Sequence, residues 1–242
     1  YHHLDVLGHT GEALRLVEAV EASGYEELTS HGPRLSEHLA RPVAGGRRSA
    51  ELLKLAVLLH DVGKPATRRD EPSGRIRFPG HAEVGARLAE AAGRRLVLSN
   101  RELRRLARLV SLHLWPVLLP FRDPSAGELH RLFRAAGDGA PELFVLSAAD
   151  GGATRGPAQT PERREIHLRF LREMLDEFFQ EGRVVRPKVP LTGADLVATF
   201  GLAGGPEVGR LLERVAEAVA DGEVRTREEA LDLVAGWLST GG

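Results

Sequence analysis

The chain has 242 residues, 42% hydrophobic and 28% charged, with a formal net charge of −1. This suits one large domain or one domain plus a small appendix and excludes a surface that attracts nucleic acid over its whole extent, so any basic site must be local. Cysteine is absent, which excludes disulfides and thiolate metal centres and leaves histidine and carboxylate as the available metal ligands.

Residue 1 is tyrosine and the single methionine is Met174, so a piece of a longer translation product is expected. No apolar run approaches a membrane span and no signal peptide is visible; a soluble, cytoplasmic protein is expected. Helical periodicity then dominates. It predicts helices over 7–22, 33–40, 48–61, 81–96, 100–113, 125–136, 140–150, 160–181, 192–200, 206–221 and 226–238. Stops are marked by Pro65, Gly93, Pro116, Gly137, Pro157, Gly182, Gly201 and Gly222. The one strand-like passage is 66–79, where Ser73-Gly74 turns a short hairpin ending in Arg75-Ile76-Arg77-Phe78. Over 182–190, Gly, Arg, Val and Pro replace the periodic pattern. The expected organisation is therefore all-α: a helical domain over 1–182 with one small β-hairpin insertion, and a short helical module over 190–242.

The helix written Leu52-Leu53-Lys54-Leu55-Ala56-Val57-Leu58-Leu59 is apolar nearly all round, so it is expected to be buried. It ends in His60-Asp61-Val62-Gly63-Lys64. Burying an imidazole, a carboxylate and an ammonium costs several kcal/mol (roughly) unless they are paired or hold a metal. The alternative is a plain helix end, with His60 and Lys64 meeting the last carbonyls.

Other polar groups share inward faces. His9 lines up with Ala13, Leu16, Val17 and Val20; His81 with Val84, Gly85, Leu88 and Ala92. His113 follows Leu103, Leu106, Leu109 and Val110, and Asp150 follows Leu143, Leu146 and Ser147. A metal centre accounts for all of these with His60 and Asp61; separate hydrogen-bonded core residues are the competing account. His167 meets the same test and His130 meets it partly, so face position alone does not select the set.

The words around these residues do select. His9, His60-Asp61 and Asp150 fit the H…HD…D pattern of the HD-domain metal-dependent phosphohydrolases. Tyr1-His2-His3-Leu4-Asp5-Val6-Leu7-Gly8-His9-Thr10, Leu58-Leu59-His60-Asp61-Val62-Gly63-Lys64-Pro65 and Phe78-Pro79-Gly80-His81-Ala82-Glu83-Val84-Gly85-Ala86 resemble the HD region of bacterial tRNA nucleotidyltransferases, the CCA-adding and poly(A)-polymerase-like enzymes. The stretch Leu191-Thr192-Gly193-Ala194-Asp195-Leu196, with Gly205-Pro206-Glu207-Val208-Gly209 and Asp221-Gly222-Glu223-Val224, resembles their C-terminal portion. The Gly-Ser motif and paired carboxylates of their polymerase head have no match in these residues, and Gly8 stands where the family usually has a bulkier or acidic residue.

The resemblance implies that His9, His60, Asp61 and Asp150 hold a first divalent metal, that Asp61 bridges to a second, and that His81 and His113 complete the second site. Mn, Fe, Ni, Co, Zn and Mg all remain open as the ion, and its number is one or two. Asp61 and Lys64 are then the catalytic residues, with Lys64, Arg68 and Arg69 neutralising charge on a phosphoryl group. A cation would make hydroxide available at neutral pH. The expected substrate is a nucleotide or RNA-terminal phosphoester, such as a 2′,3′-cyclic phosphate or a 2′-phosphate, with tRNA as a candidate partner. The alternative is an RNA-holding body for a separate polymerase head, with Arg101, Arg104, Arg105 and Arg108 forming one basic face for phosphate contacts.

Overall fold

A computed structural model describes residues 6–44, 46–154, 159–180, 182 and 184–239. The opening Tyr1-His2-His3-Leu4-Asp5 of the first motif and the stop at Pro157 lie outside the described residues. The fold is all-α. Its helices are α1 (Val6–Ala22), α2 (Gly32–Ala40), α3 (Ser49–Leu59), α4 (Lys64–Thr67), α5 (His81–Arg95), α6 (Asn100–Leu112), α7 (Trp115–Leu118), α8 (Ala126–Ala136), α9 (Ala140–Ala153), α10 (Pro161–Gln180), α11 (Gly193–Phe200), α12 (Pro206–Asp221) and α13 (Arg227–Ser239). The long helices match the expected ones to within a few residues. Two one-turn helices, α4 and α7, were not anticipated; each carries a proline in its first turn, which reads as a stop although it also suits a helix start.

Two antiparallel hairpins interrupt the helices. The expected one pairs β3 (Arg69–Asp70) with β4 (Ile76–Arg77), and Gly74 turns it at φ +77°. The unexpected one pairs β1 (Pro42–Ala44) with β2 (Arg47–Arg48). The Gly45-Gly46 pair in the sequence is a hairpin signal, but strands this short leave no alternation to read. Among the described residues no helix is long and apolar enough to cross a membrane.

The chain divides into two compact units, Tyr1–Arg122 with Ala136–Phe179, and Asp123–Ala135 with Gln180–Gly242. In the first, α9 is its most deeply set helix: Leu143, Phe144, Val145, Leu146 and Ser147 are all essentially inaccessible. A helix that is apolar all round has no other stable place. Against it and against one another pack α1 and α3, while α5 pairs with α6. One buried ion group ties this unit: Glu142 receives Arg105 Nη1 at 2.6 Å and His38 Nε2 at 3.0 Å. In the second unit, Leu196, Val215, Ala230 and Val234 centre a separate core. Residues 123–135 join that unit because Arg131 pairs with Glu217 at 3.2 Å and the Gly127 amide donates to Asp221 at 2.6 Å.

Two glycines draw two elements together. A Cβ on Gly63 would stand 2.7 Å from the Gly85 amide nitrogen and collide with the His81 carbonyl. Gly63 ends the His60-Asp61 turn and Gly85 lies one turn into α5, so their missing side chains let the end of α3 reach the start of α5.

Candidate metal centre

Three histidines are oriented by the same device. Each sits at a helix end and turns its Nδ1 back to the carbonyl three residues earlier: His60 to Val57 at 2.7 Å, His81 to Phe78 at 2.9 Å and His113 to Val110 at 2.7 Å. A carbonyl only accepts, so each Nδ1 carries a proton, and Nε2 is the atom of each ring left to bind a cation. These Nε2 atoms converge. Those of His81 and His113 are 3.2 Å apart. His60 Nε2 is buried without an aligned hydrogen bond, 3.4 Å from Asp61 Oδ2 and 3.7 Å from Asp150 Oδ1.

Asp61 stands at the middle. Its Oδ2 faces His60, His9 Nε2 at 3.8 Å and Lys64 Nζ at 2.5 Å; its Oδ1 faces His81 Nε2 at 3.5 Å and His113 Nε2 at 3.9 Å. From α1, His9 Nε2 reaches Asp150 Oδ1 on α9 at 3.0 Å. The six residues fall into two sets of potential ligands, His9, His60 and Asp150, and Asp61, His81 and His113; within each, the ligand atoms lie within 4.8 Å of one another. His9, His60, Asp61 and His113 are at most 2% exposed, whereas His81 and Lys64 are 8–9% exposed and the Asp150 side chain is 14% exposed, so the cluster meets solvent at these three residues.

The electrostatics favour positive charge. Burial opposes ionisation of Asp61, but the neighbouring His60 and then Lys64 hold its carboxyl well below the usual range. Burial likewise opposes ionisation of Asp150, and His9 and His60 outweigh it. Burial pulls His60 down, yet Asp61 and Asp150 lift it to about 9. His113 goes the other way, held at about 4 chiefly by burial. Two carboxylates held ionised and facing several imidazole Nε2 atoms form a donor set suited to a cation. The residues fit a divalent metal on these grounds: two imidazole Nε2 atoms facing each other at 3.2 Å and a buried, unaligned Nε2.

The remaining candidates divide. Lys64 is inside the cluster, with its Nζ 5.7 Å from the Phe78 ring centroid. Arg68 and Arg69 are exposed on the β3 hairpin, and Arg68 pairs with Asp70 at 2.9 Å. Arg101, Arg104 and Arg108 share an exposed face of α6, but Arg105 turns from it to Glu142. His167 bonds Ser147 Oγ at 2.9 Å, and His130 donates to the Val184 carbonyl at 2.7 Å; neither belongs to the cluster. Phe78 was not anticipated: its carbonyl sets the His81 ring while its own ring lies beside Lys64. A carbonyl contact three residues back leaves no mark in residue type.

Comparison with known proteins agrees with this geometry. The HD domain model matches residues 29–150, a span holding His60, Asp61, His81, His113 and Asp150. The A-adding tRNA nucleotidyltransferase of Deinococcus radiodurans is 36% identical over 238 residues, 98% of this chain and 48% of that protein. The CC-adding tRNA nucleotidyltransferase of Thermus thermophilus is 42% identical over 185 residues, 76% of this chain and 39% of that protein. The chain thus spans less than half the length of either relative. With the His-Asp doublet at the end of a buried helix, partners converging on it from α1, α5, α6 and α9, and half the chain matched by the domain model, the protein belongs to the HD-domain family.

Proposed function

We propose that this chain carries a metal-dependent phosphohydrolase centre acting on nucleotide or RNA-terminal phosphoesters. The observation that carries the proposal is the position of Asp61, whose two carboxylate oxygens face two separate histidine pairs. Two such sets, each of two imidazoles and one carboxylate, suit Mn, Fe, Co, Ni or Zn better than Mg, which prefers oxygen ligands. When bound, the metal supplies Lewis acidity and a nucleophile at neutral pH. The chain's own residues do the rest. The Val57, Phe78 and Val110 carbonyls keep the imidazoles in one tautomer. Lys64, at one edge of the cluster that reaches solvent, places its charge where phosphoryl oxygens arrive. The tRNA named in both relatives makes an RNA end the favoured substrate class.

The test is metal analysis of the purified chain with hydrolysis of bis(p-nitrophenyl) phosphate and of 2′,3′-cyclic nucleotides. Bound transition metal with turnover of either substrate supports the proposal. A metal-loaded protein inert toward both overturns it. A second reading is favoured by the 98% coverage of this chain by a nucleotidyltransferase relative: the helices form an RNA-holding body of such an enzyme. That reading expects tRNA binding that survives complete chelation of metal.

A further inference from the structure

Several exposed arginines on this protein have a carboxylate within a turn. Arg41 pairs with Glu37 at 2.8 Å, Arg48 with Glu51 at 2.9 Å and Arg68 with Asp70 at 2.9 Å. Arg94 likewise pairs with Glu90. Such pairs are what an arginine-rich composition produces on a solvated surface.

One face of α6 gathers three arginines that have no such partner. Arg101, Arg104 and Arg108 are exposed, and among the described residues none of the three has an ion pair. Their helical neighbours at three and four positions include one another, so like charges stand together and weaken the helix. The one acid of α6, Glu102, is fully buried; it caps Ser99 and lies 3.6 Å from Arg47. Arg105 is turned to Glu142. The three guanidiniums therefore lack local neutralisation.

The stripe continues past α6. His113 and Leu114 keep right-handed helical dihedrals, and the Leu118 amide bonds the Leu114 carbonyl at 3.1 Å. The three-and-four spacing thus runs on through Ser111 to Trp115 and Leu118, which are 40% and 53% exposed. An indole left this open, at the end of a row of unneutralised guanidiniums, joins the two elements that hold unpaired polynucleotide: cations for phosphates and an aromatic face for bases.

We propose that the Arg101–Arg104–Arg108 stripe and Trp115 form a docking track for an RNA strand with unpaired bases. The choice of RNA rests on the function proposed above; the charge and the exposed ring do not. The stripe lies on the side of α6 opposite His113, so it is a surface separate from the metal-ligand cluster.

The test is fluorescence anisotropy with labelled tRNA carrying a single-stranded 3′ end, on the full chain across a salt series. Arg101→Glu, Arg104→Glu and Arg108→Glu together should weaken binding and lower the slope of log K against log salt by about 2. A matched control, Arg41→Glu, Arg48→Glu and Arg94→Glu, makes the same change in charge and should affect binding far less. Trp115→Ala should weaken binding roughly tenfold, and Trp115→Phe should restore most of it. Circular dichroism of each variant checks the fold. Equal loss in stripe and control variants, or parent-like affinity in the stripe variant, overturns the track. Poly-glutamate binding as tight as RNA, with no dependence on Trp115, overturns RNA as the partner. A parent chain that binds no tRNA overturns it as well. The catalytic proposal is read separately, by metal content and turnover of bis(p-nitrophenyl) phosphate in the parent.

Discussion

The Nε2 atoms of His81 and His113 face each other at 3.2 Å, and both rings have already committed their Nδ1 protons to backbone carbonyls. With both Nδ1 atoms so engaged, the two Nε2 atoms are the ring positions that a shared cation can draw together. His81→Ala with His113→Ala should reduce metal content from about two ions to about one, read by elemental analysis of the purified chain. A parent that holds one ion, unchanged in the double variant, would assign these histidines to the core alone.

Asp61→Asn keeps the shape of the side chain and removes its charge. Because each oxygen faces a different histidine pair, both ligand sets should lose metal together. Hydrolysis of a small phosphodiester should fall by at least about 100-fold, with helical content near that of the parent by circular dichroism.

Gly63→Ala tests the close approach of α3 to α5. Its added Cβ would meet backbone, 2.7 Å from the Gly85 amide, which no side-chain rotation relieves. A loss of roughly 2–3 kcal/mol is expected from such overpacking, measured by urea unfolding, and metal affinity should fall with it.

Val97 is a β-branched residue at φ +57° and 81% exposed, in the left-handed position that closes α5. The Leu98 amide reaches back to the Gly93 carbonyl at 3.0 Å, so the turn is well made apart from the residue type. Val97→Gly should stabilise the chain by about 1 kcal/mol, read as a higher urea midpoint with unchanged slope.

His167 gives a pH dependence. Burial holds it at about 4, down from 6.5, so the folded state refuses a proton that the unfolded chain accepts. Its contribution is complete above pH 6.5 and is lost as pH falls toward 4. Between pH 7 and pH 4 the parent should lose up to about 3 kcal/mol more stability than His167→Gln, measured by urea unfolding at each pH.

Periodicity made the long helices legible, because an apolar stripe every three or four residues has few other structural meanings. It also placed His9, His60, His81, His113 and Asp150 on inward faces, where the structure brings them together with Asp61. It could not separate them from His167, whose stripe is equally apolar but whose partner, Ser147, lies on another helix. Arg105 shows the same limit. Its neighbours are arginines, and nothing local announces that Glu142, 37 positions on, holds it. The β1–β2 hairpin was too short to carry a pattern.

The contact between His9 and Asp150 joins positions 141 residues apart. Chain ends that distant lose much entropy when brought together, though the loss grows only slowly with loop length. A cation gripped from both sides would act as a removable rivet for a polypeptide that has no cysteine to cross-link. Chelation should then do more than silence chemistry: it should loosen the first helix from the ninth, and the amino-terminal turns should become the earliest target of a protease.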